Sequence, residues 1–258
     1  MKIWICIALL GTSLTLPAQS AGYISYEKVT TLDVELPPEM QQYQNLVPKE
    51  KRSTHELTFN DRESLYRAKP AEGETASSPY AGAENGVKVV TMRRGGGAVE
   101  VLYYSFADDL VVKTVDLMGK PFLVESPHQA GDWKITGEQK QILGYTCIKA
   151  ECPTPSGTLT AWFSPQIAQP VGPEEWVGLP GAILALSSPG ERSSTTITAT
   201  AVDLTSPPAN IRRPDRGKRV SPEELADIQA QRIAEMEKMF GGRRTNGGNV
   251  IIRRSPGN

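Results

Sequence analysis

Apolar and polar residues alternate along most of this chain, and this pattern constrains the fold more than any other feature. Successive side chains of a β-strand point to opposite faces, so the alternation predicts strands with one buried face. Short turns rich in Gly and Pro separate the alternating segments, which favours an antiparallel meander. The predicted strands cover residues 22–34, 54–60, 86–94, 98–106, 109–126 (a hairpin turning at 118–120), 132–151 (a short strand, a turn at Gly137 and a longer strand), 158–164, 182–188 and 195–204. The sequence predicts a mainly β fold, with the meander forming a curved sheet or half-barrel.

The first twenty residues have the composition of a secretory signal peptide. A basic start, Met1-Lys2, precedes an apolar core at 3–16, and Ala18 and Ser20 supply the small residues that signal peptidase requires. The core is shorter than the roughly 20 residues that span a membrane. We expect a periplasmic or secreted protein with no transmembrane segment after cleavage and no nucleic-acid partner.

One helix is predicted near the carboxyl end. Ser221 is its N-cap, Pro222 occupies the first helical position, and Glu224 completes a capping box. We expect this helix to pack on the sheet or to cover its mouth. The predicted organisation is a signal peptide at 1–20, an antiparallel β domain at 21–205, a Pro-rich basic linker at 206–220, the helix at 221–240 and a disordered basic tail at 241–258.

The residue types needed for catalysis are scarce. The two histidines, His55 and His128, do not have metal-ligand spacing, and the chain contains no HExxH, no GxSxG and no phosphate-binding glycine loop. Cys147 and His128 form a conceivable nucleophile–base pair, but Cys147 is predicted in an apolar strand, where thiols are usually inert. We therefore expect a protein that is not an enzyme, with no catalytic residue, metal or cofactor.

The two cysteines that follow the signal peptide are predicted to be unbonded. If Cys147 and Cys152 share a strand, five residues separate them by about 16 Å. A disulfide requires α-carbons within about 7 Å, and the odd spacing places the side chains on opposite faces.

Three tryptophans, Trp133, Trp162 and Trp176, lie on or near predicted strands. Such residues supply large apolar area to a core, and in a curved sheet they can also line a ligand cavity. The sequence leaves both interpretations open, so the three are candidate ligand-binding residues.

The stretch "GPEEWVGLPGAILAL" at 172–186 combines turn residues with an apolar run. Pro180 fixes its own φ, and Gly181 can take the positive φ that the third residue of a type II turn requires. We interpret Gly178, Leu179, Pro180 and Gly181 as a structural motif that directs Trp176 and the strand from Ala182 into the core.

This motif resembles the hallmark of the GLPGLI family, a group of exported proteins of Bacteroidetes, with Ala182 in place of the second leucine. The resemblance covers roughly residues 22–205. It extends to "GYISYE", "LTFNDRESLY", "DWKI", "ILGYTCIKAE", "AWFSPQI" and "GPEEWVGLPG", in that order. It implies a β-rich exported protein, similar in strand pattern to the half-barrel sheets of bacterial lipoprotein carriers, and it carries no established activity or catalytic residues.

Two functions follow as hypotheses. The first is a non-catalytic envelope protein that binds an apolar ligand, such as a lipid or a lipoprotein acyl chain, in the curved sheet. The alternative is an interaction protein that docks on an outer-membrane or periplasmic partner. Two long polar loops at 37–53 and 69–84 favour the second hypothesis, as does the segment 207–258, which holds eleven Lys/Arg against six Asp/Glu. A hydrolase is the least favoured of the three.

Overall fold

The computed structural model describes residues 21–33, 38, 41, 44, 49–69, 80–84, 87–92, 98–117, 119–190, 193–206, 210–239 and 249–254. The predicted signal peptide lies outside the described residues, as do much of the two long loops and most of the chain beyond 239.

The described chain forms fifteen strands and one helix. The strands are β1 (Gly22–Leu32), β2 (Glu50–Phe59), β3 (Glu63–Lys69), β4 (Tyr80–Glu84), β5 (Val87–Met92), β6 (Ala98–Ser105), β7 (Leu110–Leu117), β8 (Lys120–Pro127), β9 (Lys134–Ile142), β10 (Tyr145–Thr154), β11 (Gly157–Ser164), β12 (Ala182–Ser188), β13 (Ser193–Asp203), β14 (Lys218–Val220) and β15 (Asn249–Arg254). The helix is α1 (Pro222–Met239).

Twelve of the strands form one open sheet in the order β14-β8-β7-β6-β3-β2-β1-β13-β12-β11-β10-β9. All neighbours are antiparallel except β14, which runs parallel to β8. Strands adjacent in sequence are mostly adjacent in the sheet, as a meander requires. The predicted mainly β, antiparallel fold with one carboxyl-terminal helix is confirmed.

The largest hydrophobic core lies on one face of this sheet, here called the inner face. Its register aligns Ile24 with Leu57, Leu57 with Tyr66, and Tyr66 with Leu102 across β1, β2, β3 and β6. These four side chains are at most 5% exposed. The alternation of apolar and polar side chains along each strand therefore places the buried residues on this face, as the sequence predicts.

Two smaller clusters cover the β7–β8 end of the sheet. On the opposite face, Tyr103, Val112 and Leu123 pack with Ile211, which comes from the segment after β13. On the inner face, α1 covers this end, where the half-buried Leu225 and Ile228 pack with a cluster of Val115, Phe122, Val124 and Val220. The helix therefore packs on the sheet.

The predicted capping box of α1 is formed. The Glu224 backbone N–H donates to Ser221 Oγ (3.2 Å), and the Ser221 N–H donates to Glu224 Oε2 (2.9 Å). Each bond satisfies a backbone donor that the helix leaves unpaired at its start. In the part of the chain that the structure describes, no helix combines the length and apolar character needed to cross a membrane.

The turn predicted at Gly137 is wrong. Gly137 has a φ of 84° but lies inside β9, opposite a register shift between Ile148 and Ala150 of β10. The hairpin turns instead at Leu143 and Gly144, whose φ values are 52° and 83°. A glycine with positive φ suits a bulge as well as a turn, and the local sequence does not separate the two.

An antiparallel meander would pair the predicted strand at 86–94 with the next one at 98–106, but the two do not pair. β5 pairs with β4 and β15 in a separate three-stranded sheet, and β6 pairs with β3. The segment 249–254 of the predicted disordered tail is therefore a strand, and the predicted linker at 206–220 contains β14. In both segments a short stretch pairs with a strand that is distant in the sequence. Local composition does not reveal such pairing.

Candidate functional site

The connection between β11 and β12, residues 165–181, is folded against the inner face and is here called the plug. Its Ile167, Val171 and Leu179 are buried. The Ala182 N–H donates to the Ile167 carbonyl (3.0 Å), and the Ile183 N–H donates to the Val171 carbonyl (2.8 Å). Both ends of the plug are therefore anchored to the core by backbone bonds and apolar contacts.

Two glycines allow the plug to approach its neighbours closely. Gly181 has a φ of 143°, and a Cβ there would lie 2.2 Å from the Ser164 carbonyl oxygen. A Cβ on Gly172 would lie 2.1 Å from the Trp176 carbonyl oxygen. The Gly181 N–H donates to the Leu179 carbonyl (2.7 Å), which closes a three-residue turn around Pro180 instead of a four-residue type II turn. The GLPG motif is thus a tight turn in which Gly181 has no room for a side chain.

A narrow cleft separates the plug from the sheet. It measures about 240 Å³ including its open mouth, and it has no room for an ordered water. Its lining residues are Leu57, Ser64, Tyr66, Leu102, Tyr104, Val111 and His128 from the sheet side, and Gly172, Glu174, Glu175 and Val177 from the plug. Side chains therefore fill the inner face in this structure.

Two ion pairs tie the middle of the plug to the sheet. Lys28 of β1 binds Glu174, and Lys113 of β7 binds Glu175. Between β1 and β7 lie β2, β3 and β6, so two adjacent carboxylates reach lysines from strands four positions apart. Glu174 has a φ of 57°, a left-handed conformation that non-glycine residues adopt rarely and at a cost. A strained backbone residue thus carries one of the two ion pairs between the plug and the sheet.

Beneath the plug, buried polar atoms lack partners. The Tyr66 hydroxyl and His55 Nδ1 have no hydrogen bond to any described residue, although the two rings stack with centroids 5.0 Å apart. Burial raises the pKa of Tyr66, and the charge of Glu174 raises it further. Burial also lowers the pKa of His55 to about 4, assisted by Lys28 and opposed by Glu174. Both side chains are therefore neutral near pH 7, and an unpaired buried polar group costs roughly 1–3 kcal/mol.

His128 lies at the cleft beside a carboxylate. Its Nδ1 is 3.6 Å from Asp109 Oδ1, which also accepts a bond from the Tyr104 hydroxyl (2.8 Å). His128 Nε2 is buried and has no hydrogen-bond partner among the described residues. An activated nucleophile would be hydrogen-bonded to its base. Cys147 Sγ, the nucleophile considered above, bonds to the Tyr145 carbonyl (3.6 Å) instead of to His128, and the described residues hold no cluster able to bind a metal.

The three candidate tryptophans do not converge. Trp133 and Trp176 make an edge contact with centroids 6.0 Å apart, and Trp133 Nε1 donates to the Val177 carbonyl (3.3 Å). Trp162 lies opposite Lys149 and Ala185 in the sheet register, with Lys140 Nζ 4.1 Å from its ring centroid. None of the three lines the cleft. Trp133 and Trp176 instead contribute to the packing of the plug. A role of the three tryptophans in binding a ligand stays a prediction.

Cys147 and Cys152 lie in β10 as free, buried thiols. Burial raises the pKa of Cys147, against the opposing effect of Lys140. A raised pKa keeps a thiol protonated and unreactive. These side chains belong to the main core.

The two lysines that pair with the plug, Lys28 and Lys113, leave little trace in the local sequence. Lys28 and Lys113 occupy inward positions of β1 and β7, where the alternation otherwise places apolar side chains such as Tyr26 and Val111. The one local signal for these residues is a lysine at a position where the strand alternation predicts an apolar side chain. Pairing each lysine with its glutamate required the folded chain.

Comparisons with known proteins bear on the fold. No family model matches the chain, and no curated protein does. Two crystal forms of PNGF-II are similar in structure, each with a TM-score of 0.51, at 13% and 14% sequence identity. Each match covers 82% of this chain and 33% of that one, so this chain spans about a third of the length of PNGF-II. LprF from Mycobacterium bovis matches at a TM-score of 0.27 and 11% identity, over 78% of this chain and 91% of that one. The similarity to PNGF-II shows a related β fold.

Proposed function

We propose that this chain is a non-catalytic exported protein of the cell envelope that binds a ligand with an apolar body between the plug and the inner face. Membership of the GLPGLI family, export through the signal peptide at 1–20 and a periplasmic or secreted location form part of the same proposal. The single observation that carries it is the cleft, whose sheet wall includes the aliphatic side chains of Leu57, Leu102 and Val111.

The closed cleft requires the plug to move before a ligand enters. The ends of the plug are buried, as are Gly172, Pro173 and Val177, whereas Glu174 and Glu175 in its middle reach the sheet through the two lysine–glutamate pairs. Partly exposed ion pairs contribute little stability and weaken in salt. The middle of the plug can therefore lift while its ends remain anchored, which uncovers the apolar wall.

Fluorescence titration with N-phenyl-1-naphthylamine, an apolar probe, tests the proposal. We expect saturable binding of one probe per chain. The matched variants Val111→Thr and Val112→Thr place a hydroxyl on opposite faces of β7, because Val111 lines the cleft and Val112 packs with the cluster on the other face. Both variants lose similar stability, but only Val111→Thr weakens probe binding, by roughly tenfold. Absence of saturable binding, or equal weakening by both variants, contradicts the proposal.

A kinetic experiment tests the movement of the plug. Rising salt screens the pairs of Lys28 and Lys113 with the plug, so we expect the association rate of the probe to increase between 0.05 and 1 M NaCl. The control is the double variant Glu174→Gln/Glu175→Gln, in which the pairs are absent and the rate is already high and insensitive to salt. A rate that is independent of salt in both proteins shows that the plug does not gate the cleft.

A further inference from the structure

The plug glutamates occupy positions that suit the head group of a ligand. Lys28 and Lys113 project from the inner face, and their side chains are 18% and 28% exposed. An anionic partner stabilises a lysine whose access to water is reduced. The structure supplies that partner from the plug.

The same region offers a hydrogen-bond donor that the plug leaves unused. The Tyr66 hydroxyl lines the cleft, is buried, and has no partner among the described residues. Tyr66 lies on β3, between the strands that carry the two lysines. The charge of Glu174 acts on the Tyr66 hydroxyl, so a carboxylate already lies near this donor without bonding to it.

We propose that Lys28, Lys113 and the Tyr66 hydroxyl form an anion-binding site on the inner face, which Glu174 and Glu175 of the plug occupy in the absence of ligand. The ligand is an amphipath with an acidic head group, and it displaces the two glutamates as it enters. This inference rests on the proposed function, because the alkyl chain of the ligand lies against the apolar wall of the cleft.

The strained conformation of Glu174 supports displacement. Its φ of 57° lies in the left-handed region, which costs a non-glycine residue free energy. Release of the pair lets the backbone relax, which offsets part of the cost of opening the plug. The acidic head group thus replaces part of the negative charge that the two glutamates supplied to the lysines, while a neutral ligand that displaces them replaces none of it.

Three octyl compounds that differ in the head group alone test this site by calorimetric titration at pH 8: octanoate, octanol and octylammonium. We expect octanoate to bind at least about tenfold more tightly than octanol, and octylammonium most weakly, because charge-assisted bonds to lysine favour the anion. If all three compounds bind equally, the site does not select an acidic head group and this inference is wrong, whereas the proposed function remains. If none of the three binds, the proposed function falls, and this inference falls with it.

Variants of the lysines and of the glutamates should change octanoate binding in opposite directions. Lys28→Met and Lys113→Met keep most of the apolar stem, and each should weaken octanoate about tenfold relative to octanol. Glu174→Gln/Glu175→Gln removes the internal competitor and should strengthen octanoate several-fold. Tyr66→Phe should weaken octanoate alone. Lys140→Met, a lysine placed over Trp162 and away from the cleft, is the control and should change nothing. If the glutamine variant weakens octanoate, the glutamates do not compete with the ligand, and the inference is wrong.

Discussion

The inner face is covered by the plug in one region and by helix α1 in another, and the two regions are built differently. Many residues at the plug-covered region have no exposed surface, among them Ile24, Tyr26, Ile183 and Leu184, although the cleft-lining Tyr66, Leu102 and Val111 retain 4–5%. At the helix-covered end, the buried residues Val115, Phe122, Val124 and Val220 each retain 4–7% exposure, and the helix contributes half-buried Leu225 and Ile228.

The position of each cover in the chain explains this difference. The plug lies between β11 and β12, so both its ends are held by strands of the sheet. Helix α1 follows the last long strand and is joined to the sheet by the three-residue β14. A segment fixed at both ends loses less additional entropy when it packs. The plug is therefore part of the core, and the helix is a cover added to it.

The largest expected effect is that of Gly181→Val. The variant forces a β-branched residue to a φ of 143° and places its Cβ 2.2 Å from the Ser164 carbonyl oxygen. We expect a loss of about 4 kcal/mol or more in the free energy of unfolding, measured by urea denaturation. Gly178→Ala is the matched control: its φ is 93°, but no atom lies within 4 Å of the added Cβ, so it should cost about 1 kcal/mol. Equal losses in the two variants would show that the close approach at Gly181 is unimportant.

The second prediction compares one leucine from each region. Leu184 is fully buried in β12, and Leu184→Ala should lower the free energy of unfolding by about 2–5 kcal/mol. Leu225 of α1 is half-buried, and Leu225→Ala should cost about 1 kcal/mol, because part of its surface is already in water. If Leu225→Ala costs as much as Leu184→Ala, the helix belongs to the core and the distinction between the regions fails.

Acid should destabilise the plug-covered region through His55. The pKa of His55 is lowered to about 4 by burial and Lys28, so the folded chain keeps this side chain neutral. Between about pH 6.5 and pH 4, the unfolded chain binds a proton that the folded chain does not, and stability falls as the pH decreases, by about 1–3 kcal/mol. Urea denaturation at pH 7 and pH 4.5 measures this loss. His55→Phe keeps a ring stacked on Tyr66 but cannot bind the proton, so it should reduce the loss of stability at low pH. If this variant loses as much stability as the native chain, other titrating groups cause the loss.

The smallest expected effect lies at the start of the helix. Ser221→Ala removes the acceptor of the Glu224 N–H bond and should cost about 1 kcal/mol. Hydrogen exchange should show faster opening of the first turn of α1, with exchange in β1 and β12 unchanged. Ser221→Asp retains an N-cap acceptor and should behave like the native chain. Faster exchange in β12 of Ser221→Ala would show that the two covers are coupled.

Local sequence was sufficient where neighbouring residues make the deciding contacts. Ser221 and Glu224 bond to each other, so the helix start was predicted to the residue. Alternation predicted most strands of the sheet, since the period of two is a property of each strand alone. Gly137 shows the limit, because positive φ serves both a turn and a bulge, and the register of β10 decides between them.

The sequence by itself determined that this protein is mainly β, that a helix begins at Pro222, and that a tight turn at Pro180-Gly181 precedes a buried strand. Only the tertiary structure decided that residues 165–181 cover the inner face and that Glu174 meets Lys28, 146 positions away in the chain. The physical reason is that propensity and alternation act between near neighbours, whereas the pairing of two charges across the sheet depends on the register of every strand between them. The candidate site therefore depends on these long-range strand registers.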